Sequence, residues 1–445
     1  MSRDASPDPI LHRRRRQALL DVLGDGLLLL PTANEASRNG DVHFEYRPGS
    51  DFHYLTGFPE PDAILAAWRT GKGKHRSLLF VRPRDPAREI WDGKRFGTAG
   101  AQAQFGVDEA REFGAFWKDL PELLGPHGTL FHRLTVDANF DRRLLETCRA
   151  VAFQKRRRQP PLHPTITDPG PVLATLRLCK DSAELAAMRA AADVTVAGHL
   201  AAMRAARPGM FEYEAQAVLE AEFRRLGSPR NGYPSIVASG ANACVLHYHD
   251  NDRRMKAGDL LLIDAGAEMG GSTADITRTF PISGRFSAPQ KAVYEIVLKA
   301  QLAGIAACKA GARWDAAHLA CQKRLTKGLV ELGVLRGDAA ALFTKGAFKK
   351  WYMHGTSHWL GRDVHDVGAY ENHDGKPEPM PIGAVLTVEP GLYFDAKDKS
   401  VPKELRGIGV RIEDDVLITA KGPEVLTAAA PKTVAELEAI CGGRG

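Results

Sequence analysis

Two stretches of this chain follow one plan. Gly258-Asp-Leu-Leu-Leu-Ile-Asp264-Ala-Gly266 and Gly383-Ala-Val-Leu-Thr-Val-Glu389-Pro-Gly391 place glycine, carboxylate and glycine at the same offsets around an apolar run. Each run reads as a buried strand that ends in an acid. A carboxylate there is costly unless something positive neutralises it. Two such acids in duplicated positions predict two half-domains that share one cation site. The flanking sequence keeps the same order in both halves: helix, break, second helix, break, then the strand. The breaks fall at Pro208-Gly209 and Leu226-Gly227 in the first half, and at Gly311 and Leu332-Gly333 in the second. A pseudo-twofold α+β domain would bring both strand ends into one cleft.

The chain has 445 residues, too many for one ordinary core, and divides into residues 1–175 and 176–445. The first part alternates short β-rich runs with helical stretches. Leu27-Leu30, Ala63-Trp68 and Ser77-Val81 read as strands, and Leu11-Leu23 and Ala110-Leu124 as helices. That order predicts an α/β layer with both sheet faces covered. Gln159 to Pro171 is proline-rich and reads as the linker. Asp181 and Glu184 then have the spacing of a capping box, opening an alanine-rich helix to about Ala206.

The net charge is +6, with basic clusters at Arg13-Arg16 and Lys155-Arg158. No nucleic-acid motif accompanies them, so they read as a solvated face or a subunit contact, and no nucleic-acid partner is expected. No apolar run reaches the roughly 18 residues of a membrane span. Asp21 and Asp25 interrupt the apolar stretch near the N-terminus and no small-residue cleavage site follows, so no signal peptide is read. The six cysteines form no CxxC pair, which fits a reducing cytoplasm.

Asp264 and Asp275 flank a glycine-containing loop. A turn near Met269-Gly270 would set them opposite each other, with Cβ atoms roughly 5 Å apart. Two bare carboxylates so placed repel, and a divalent cation removes the conflict. Arg411 and Glu413 stand two apart and share one strand face, with Val410 and Ile412 on the other. With His358 and Glu389, the set is four carboxylates and one imidazole, without cysteine. Hard oxygen ligands favour manganese or magnesium, and a lone imidazole also admits cobalt, iron or zinc. Four acids exceed the needs of one catalytic ion; two ions about 3.5–4 Å apart, activating a shared hydroxide for attack on a carbonyl, fit the count better. His354 and His365 surround His358, and His247 and His249 form another pair. These imidazoles could bind a carbonyl or stabilise a tetrahedral intermediate. A lone Asp at a strand end is more often a turn cap, and a lone His more often a satisfied core residue. Five ligand-type residues at matching spacings outweigh that for the acids and His358. His249 has no such support and reads as a surface residue or as one that backs a ligand without touching the metal.

The motifs resemble the aminopeptidase P group of the metal-dependent pita-bread peptidases, relatives of prolidase, methionine aminopeptidase and creatinase. The matching residues are His247-Tyr, Ile263-Asp264-Ala-Gly-Ala, Asp275-Ile-Thr-Arg-Thr-Phe280, His354-Gly-Thr-Ser-His358 through His365-Asp366, Thr387-Val-Glu389-Pro-Gly391 and Gly409-Val-Arg-Ile-Glu413-Asp. In the first part, Arg38-Asn-Gly-Asp41, Ser50-Asp-Phe-His-Tyr-Leu-Thr-Gly-Phe58, Phe80-Val-Arg-Pro-Arg-Asp85 and Glu89-Ile-Trp91 are similar to the family's N-terminal domain.

The resemblance implies a pita-bread catalytic domain that releases the first residue from peptides with proline second. It implies two divalent ions, manganese first, and an assembly of two or four copies. Asp264 would chelate one ion, His358 and Glu389 the other, and Asp275 and Glu413 would bridge. Glu389 would also relay a proton to the leaving nitrogen. His365 would sit over the developing oxyanion, His247 would contact substrate, and His354 and Arg411 would shape the proline pocket. Trp91 and Asp41 would either pack structurally or reach an active site. Arg362 departs from the pattern, standing where relatives usually carry an apolar residue. Three rivals remain open: a prolidase acting on dipeptides, a metal-free creatinase-type hydrolase, and a non-catalytic binding protein on the same fold.

Overall fold

Leu27 to Leu30 show why the N-terminal part folds as a layered structure. Leu27 and Leu29 join one buried cluster, and Leu28 and Leu30 pack in another, on opposite faces of one strand. The computed structural model describes residues 8–154 and 165–443. The chain forms two compact units that divide between Leu176 and Arg177.

In the first unit, six strands form one sheet in the order Glu109–Glu112, Lys74–Val81, Ile64–Gly71, Leu27–Pro31, Thr129–Phe131, Thr165–Thr167. The three central strands pair antiparallel and the outer ones parallel. Helices Pro9–Leu23, Ser50–Thr56 and Gly97–Gln104 cover one face, and Phe116–Leu124 and Ala138–Gln154 the other. The expected α/β layer is therefore present.

Three expectations for this unit need correction. Ala110-Leu124 is not one helix: Glu109–Glu112 adds a parallel edge strand, and the α-helix begins only at Phe116. The edge is closed by charge, with Arg76 Nη2 2.8 Å and Arg111 Nε 2.6 Å from Glu109. The proline-rich linker is shorter than expected. Its first residues, 159–164, lie outside the described residues, but β-branched Thr165–Thr167 is a sixth strand and Gly170–Leu178 a helix. The Arg13-Arg16 cluster is only half solvated. Arg15 and Arg16 are buried, and Arg16 donates to the Leu55 carbonyl at 2.8 Å and the Gly106 carbonyl at 2.5 Å, so its charge closes the ends of neighbouring segments. Lys155-Arg158 lies outside the described residues.

The second unit repeats its plan. Helices Ser182–Ala205 and Glu212–Arg225 precede strand Leu260–Ala265; helices Ala288–Ala307 and Ala316–Glu331 precede strand Val385–Val388. The Asp181/Glu184 capping box is formed, with both reciprocal bonds. Gly258 and Gly383 enter the matched strands with φ of +86° and +90°, a conformation that a side chain would strain. Leu260–Ala265 lies between Ile236–Ser239 and Ile276–Pro281, all antiparallel. Val385–Val388 pairs with Asp414–Thr419, and Gly391–Tyr393 with Gly409–Arg411. The halves meet where Glu413 N donates to the Thr277 carbonyl at 3.1 Å.

The hairpin after Asp264 has a different register from the one expected. Glu268 pairs with Thr273 and Met269 with Ser272, so the turn is Gly270-Gly271, both at positive φ. Asp264 therefore faces Thr277, and Asp275 lies two residues along the same strand face.

Candidate metal centre and active site

Asp264 ends its strand facing inward, nearly buried. Arg411 Nη2 donates to Asp264 Oδ2 at 2.6 Å, and Tyr233 donates its hydroxyl to Oδ1 at 2.7 Å. Tyr233 also bonds to Asp275, so one phenol ties two acids together. Burial pushes this phenol far above its ordinary pKa, which keeps its proton in place as a donor. Burial likewise opposes ionisation of Asp264, but the Arg411 charge and the Tyr233 bond outweigh it and hold this carboxyl below its usual range.

The other three acids lack such a cation of their own. Asp275 is raised well above the usual carboxylate range by burial and then by the Asp264 charge. Glu413 is raised by burial and then by Asp275, despite accepting the Thr277 hydroxyl at 2.6 Å. Glu389 rises to about 8, through burial and then the Glu413 charge.

His358 is brought to these acids by pairing of its own segment with the second matched strand. Thr387 N donates to the His358 carbonyl at 3.0 Å, and Glu389 N to the Thr356 carbonyl at 2.8 Å. The imidazole donates Nδ1–H to the Trp359 carbonyl at 3.1 Å. That leaves the Nε2 lone pair facing Asp275 at 3.5 Å and Glu389 at 3.8 Å. A lone pair aimed at carboxylates is unfavourable until a cation lies between them. Asp275, His358 and Glu413 each offer a ligand atom, all within 4.8 Å of one another. The residues thus fit a metal by charge, by donor type and by approach. Asp264 and Glu389 border this trio, the first turned to Arg411 and the second beside His358.

The remaining candidates stand around the acids. His354 Nε2 is 2.9 Å from the Tyr393 hydroxyl, and Arg411 Nη1 donates to that same oxygen at 3.2 Å. Burial, then the Arg411 charge, lowers the His354 imidazole to about 3, so it stays neutral. His365 is exposed and meets the His358 ring edge-on at 4.4 Å between centroids. His247 is exposed and stacks near His249 at 6.4 Å.

Several residues here escaped the reading of the sequence. Tyr233 follows Asn231-Gly232, thirty-one positions before Asp264, with nothing local to mark it. Tyr393 lies two residues past Gly391 in a continuation of the strand motif, which was signal enough to find it. Glu212 is fully buried and accepts from Ser239 N at 2.6 Å, Tyr248 OH at 2.9 Å and Arg253 N at 2.9 Å. It fastens both ends of the segment that carries His247. Its place at the start of a helix made it look like an ordinary first-turn acid.

Comparison with known proteins gives a consistent picture. Residues 186–420 match the model of metallopeptidase family M24, and residues 12–131 that of the aminopeptidase P N-terminal domain. The chain is 41% identical to the Xaa-Pro aminopeptidase of Haemophilus influenzae, over 97% of each chain. Its structure is similar to that of Pseudomonas aeruginosa aminopeptidase PepP, with a TM-score of 0.95 and 44% identity, covering 98% of this chain and 99% of that one. It is also similar to a zinc-substituted Escherichia coli aminopeptidase P in complex with product, with a TM-score of 0.94 and 39% identity, covering 99% of each.

Proposed function

We propose, from the premise that this chain belongs to metallopeptidase family M24, that its cleft releases the N-terminal residue from peptides with proline in second place. The observation that carries the reading is the convergence of Asp275, Glu413 and Glu389 on His358, two buried acids and a half-buried one, all with raised pKa values, beside an imidazole lone pair. It is a metal-dependent hydrolase, in two domains that we place at 1–175 and 176–445. The likeness to Xaa-Pro aminopeptidases over the whole chain favours this activity over that of a dipeptide-only prolidase.

Asp264, Asp275, His358, Glu389 and Glu413 would hold two divalent ions, manganese first, with cobalt, zinc or magnesium as substitutes. Such ions would supply a water activated near neutral pH and polarise the scissile carbonyl. The rest of the work falls to side chains. The Xaa-Pro bond is a tertiary amide without N–H, so the site needs no acceptor for that hydrogen. Its leaving nitrogen must gain a proton, and Glu389, placed beside His358 in the cleft, would carry one there. His354, Tyr393 and Arg411 form one hydrogen-bonded wall that would orient the proline ring. His365 would donate to the developing oxyanion and His247 would touch the substrate from the rim.

Exposed Ile90 and Trp91 give a second copy an apolar surface to cover, which supports a homo-oligomer of two or four chains. No described helix is long and apolar enough to cross a membrane. The six free cysteines support a cytoplasmic setting.

The test is release of free amino acid from Xaa-Pro-Yaa tripeptides and Xaa-Pro dipeptides, by chelator-stripped protein with and without manganese. Manganese-dependent tripeptide cleavage is expected. Cleavage of dipeptides alone would move the assignment to prolidase. Activity indifferent to a strong chelator would refute metal catalysis. Cleavage of neither, with salt-sensitive binding to random DNA, would favour a binding protein.

A further inference from the structure

His365 is carried by a loop, residues 361–366, without regular structure. Loops of this kind move unless something ties them down. Here Thr273 N donates to the Gly361 carbonyl at 2.8 Å, and the charged side-chain ties come from one short stretch at the start of the second unit. Asp366 is buried and receives Arg177 Nη2 at 2.5 Å on one oxygen and Lys180 Nζ at 2.8 Å on the other. Arg177 Nη2 also reaches Asp363 at 2.9 Å, and Lys180 Nζ donates to the Arg177 carbonyl at 2.7 Å, which closes the network on itself. At the other end of the loop, Arg362 Nε lies 3.7 Å from Glu184, the acid of the Asp181 capping box. Gly361 leaves the space that this packing needs. A Cβ there would stand 2.1 Å from Asp366 Oδ2 and 2.8 Å from Lys180 Nζ.

We propose that Arg177, Lys180 and Asp366 form a buried ionic clamp that positions His365 over the reacting carbonyl, with Arg362 and Glu184 as its second arm. The inference rests on the role given above to His365. Buried ion pairs add little stability over apolar packing of the same shape, but they are directional. Four charges meeting at fixed distances admit one register of the loop where an apolar contact would admit several. The backbone of Asp366 is held by its bond to the Trp359 carbonyl at 2.9 Å, and the adjoining residue is His365. The clamp therefore acts through the main chain, since the imidazole itself is exposed and only edges His358. Arg362, the departure from the family pattern, is accommodated because Glu184 stands opposite it. These are positioning residues: they act on His365 through the loop that carries it.

The test combines Asp366→Asn and Arg362→Met, each alone and together with His365→Ala, in the manganese-loaded enzyme. The readouts are kcat, KM, bound metal and thermal midpoint. His365→Ala should lower kcat by about a hundredfold while metal stays bound, as for loss of one oxyanion donor. Asp366→Asn should lower kcat by about tenfold or more, with KM within about twofold, as for a misplaced catalytic group. In the His365→Ala background it should cost nothing further. Losses that multiply, or a full kcat in Asp366→Asn, would overturn the clamp while leaving the His365 role standing. Full activity in His365→Ala would overturn that role and the clamp with it, and loss of bound metal would make the residue structural. Should Asp366→Asn fail to fold, Arg362→Met decides. It should lower kcat a few-fold in the parent and not at all beside His365→Ala, and an unchanged kcat in the parent would overturn the proposal.

Discussion

Glu413 and Asp414 are neighbours in sequence, both fully buried, and they have opposite surroundings. Asp414 receives Arg278 at 2.7 Å and Thr427 at 2.8 Å on one oxygen, and Lys432 and Gln301, each at 2.6 Å, on the other. Burial would raise its pKa, but Arg278 and Lys432 hold it below the usual range. Glu413 points the other way, into Asp275 and Asp264, and its own pKa is driven up. The chain evidently can neutralise a buried carboxylate when structure is all that is required. Where it gathers acids beside acids, the missing charge must come from outside. Asp264 stands between these cases, since Arg411 supplies its counter-charge while Tyr233 links it to Asp275.

The sharpest way to break this contrast is Glu413→Gln. It removes a charge from a crowded set and leaves the shape intact. Metal content should fall and turnover should drop by about a thousandfold or more, the several kcal/mol that a metal contributes to a hydrolytic transition state. The metal-free variant should melt no lower than the metal-free parent, because a repulsion has been removed. Full activity with full metal would end the bridging assignment, and a large loss of metal-free stability would erase the distinction from Asp414.

Asp414→Asn should behave in the reverse manner. It strands Arg278 and Lys432 without their shared partner, which costs about 3–5 kcal/mol for a broken buried pair. Denaturant unfolding should register that loss equally with and without metal. If the variant instead unfolds like the parent and loses its metal, the two acids are not separable in the way argued.

What could be read from the sequence was what short segments encode by themselves. The plan of glycine, apolar run and acid specifies a left-handed entry, a buried strand and a charge at its end, and both copies fold that way. Asp181 with Glu184 specifies a helix start within four residues. The failures have equally physical causes. Moving the turn from Met269-Gly270 to Gly270-Gly271 changes every cross-strand partner, and the choice hung on a single residue that tolerates positive φ. Glu109–Glu112 has no apolar alternation because it is an edge strand satisfied by arginines. Arg15 and Arg16 look like a charged surface in one dimension, yet their partners are carbonyls some forty and ninety residues away. Tyr233, Glu212 and Asp366 act through contacts that no local pattern announces, and they gather around the cleft because several distant segments converge there.

Tyr233→Phe gives the finest cut through the comparison. The hydroxyl touches both Asp264, which has its own arginine, and Asp275, which does not. Removing it leaves Asp264 paired with Arg411 at 2.6 Å and frees Asp275 to turn or to take up a proton. Loss of a residue that only orients a ligand typically costs about 10–100-fold in metal affinity. The variant should therefore need more manganese for half-maximal activity, while turnover at saturating manganese stays within about threefold of the parent. A manganese titration of activity, run beside a direct count of bound metal, separates the two quantities. If affinity is unchanged and turnover collapses, the phenol takes part in the reaction itself, and the neutralised acid and the uncompensated one cannot be treated as a ligand pair held by a spectator.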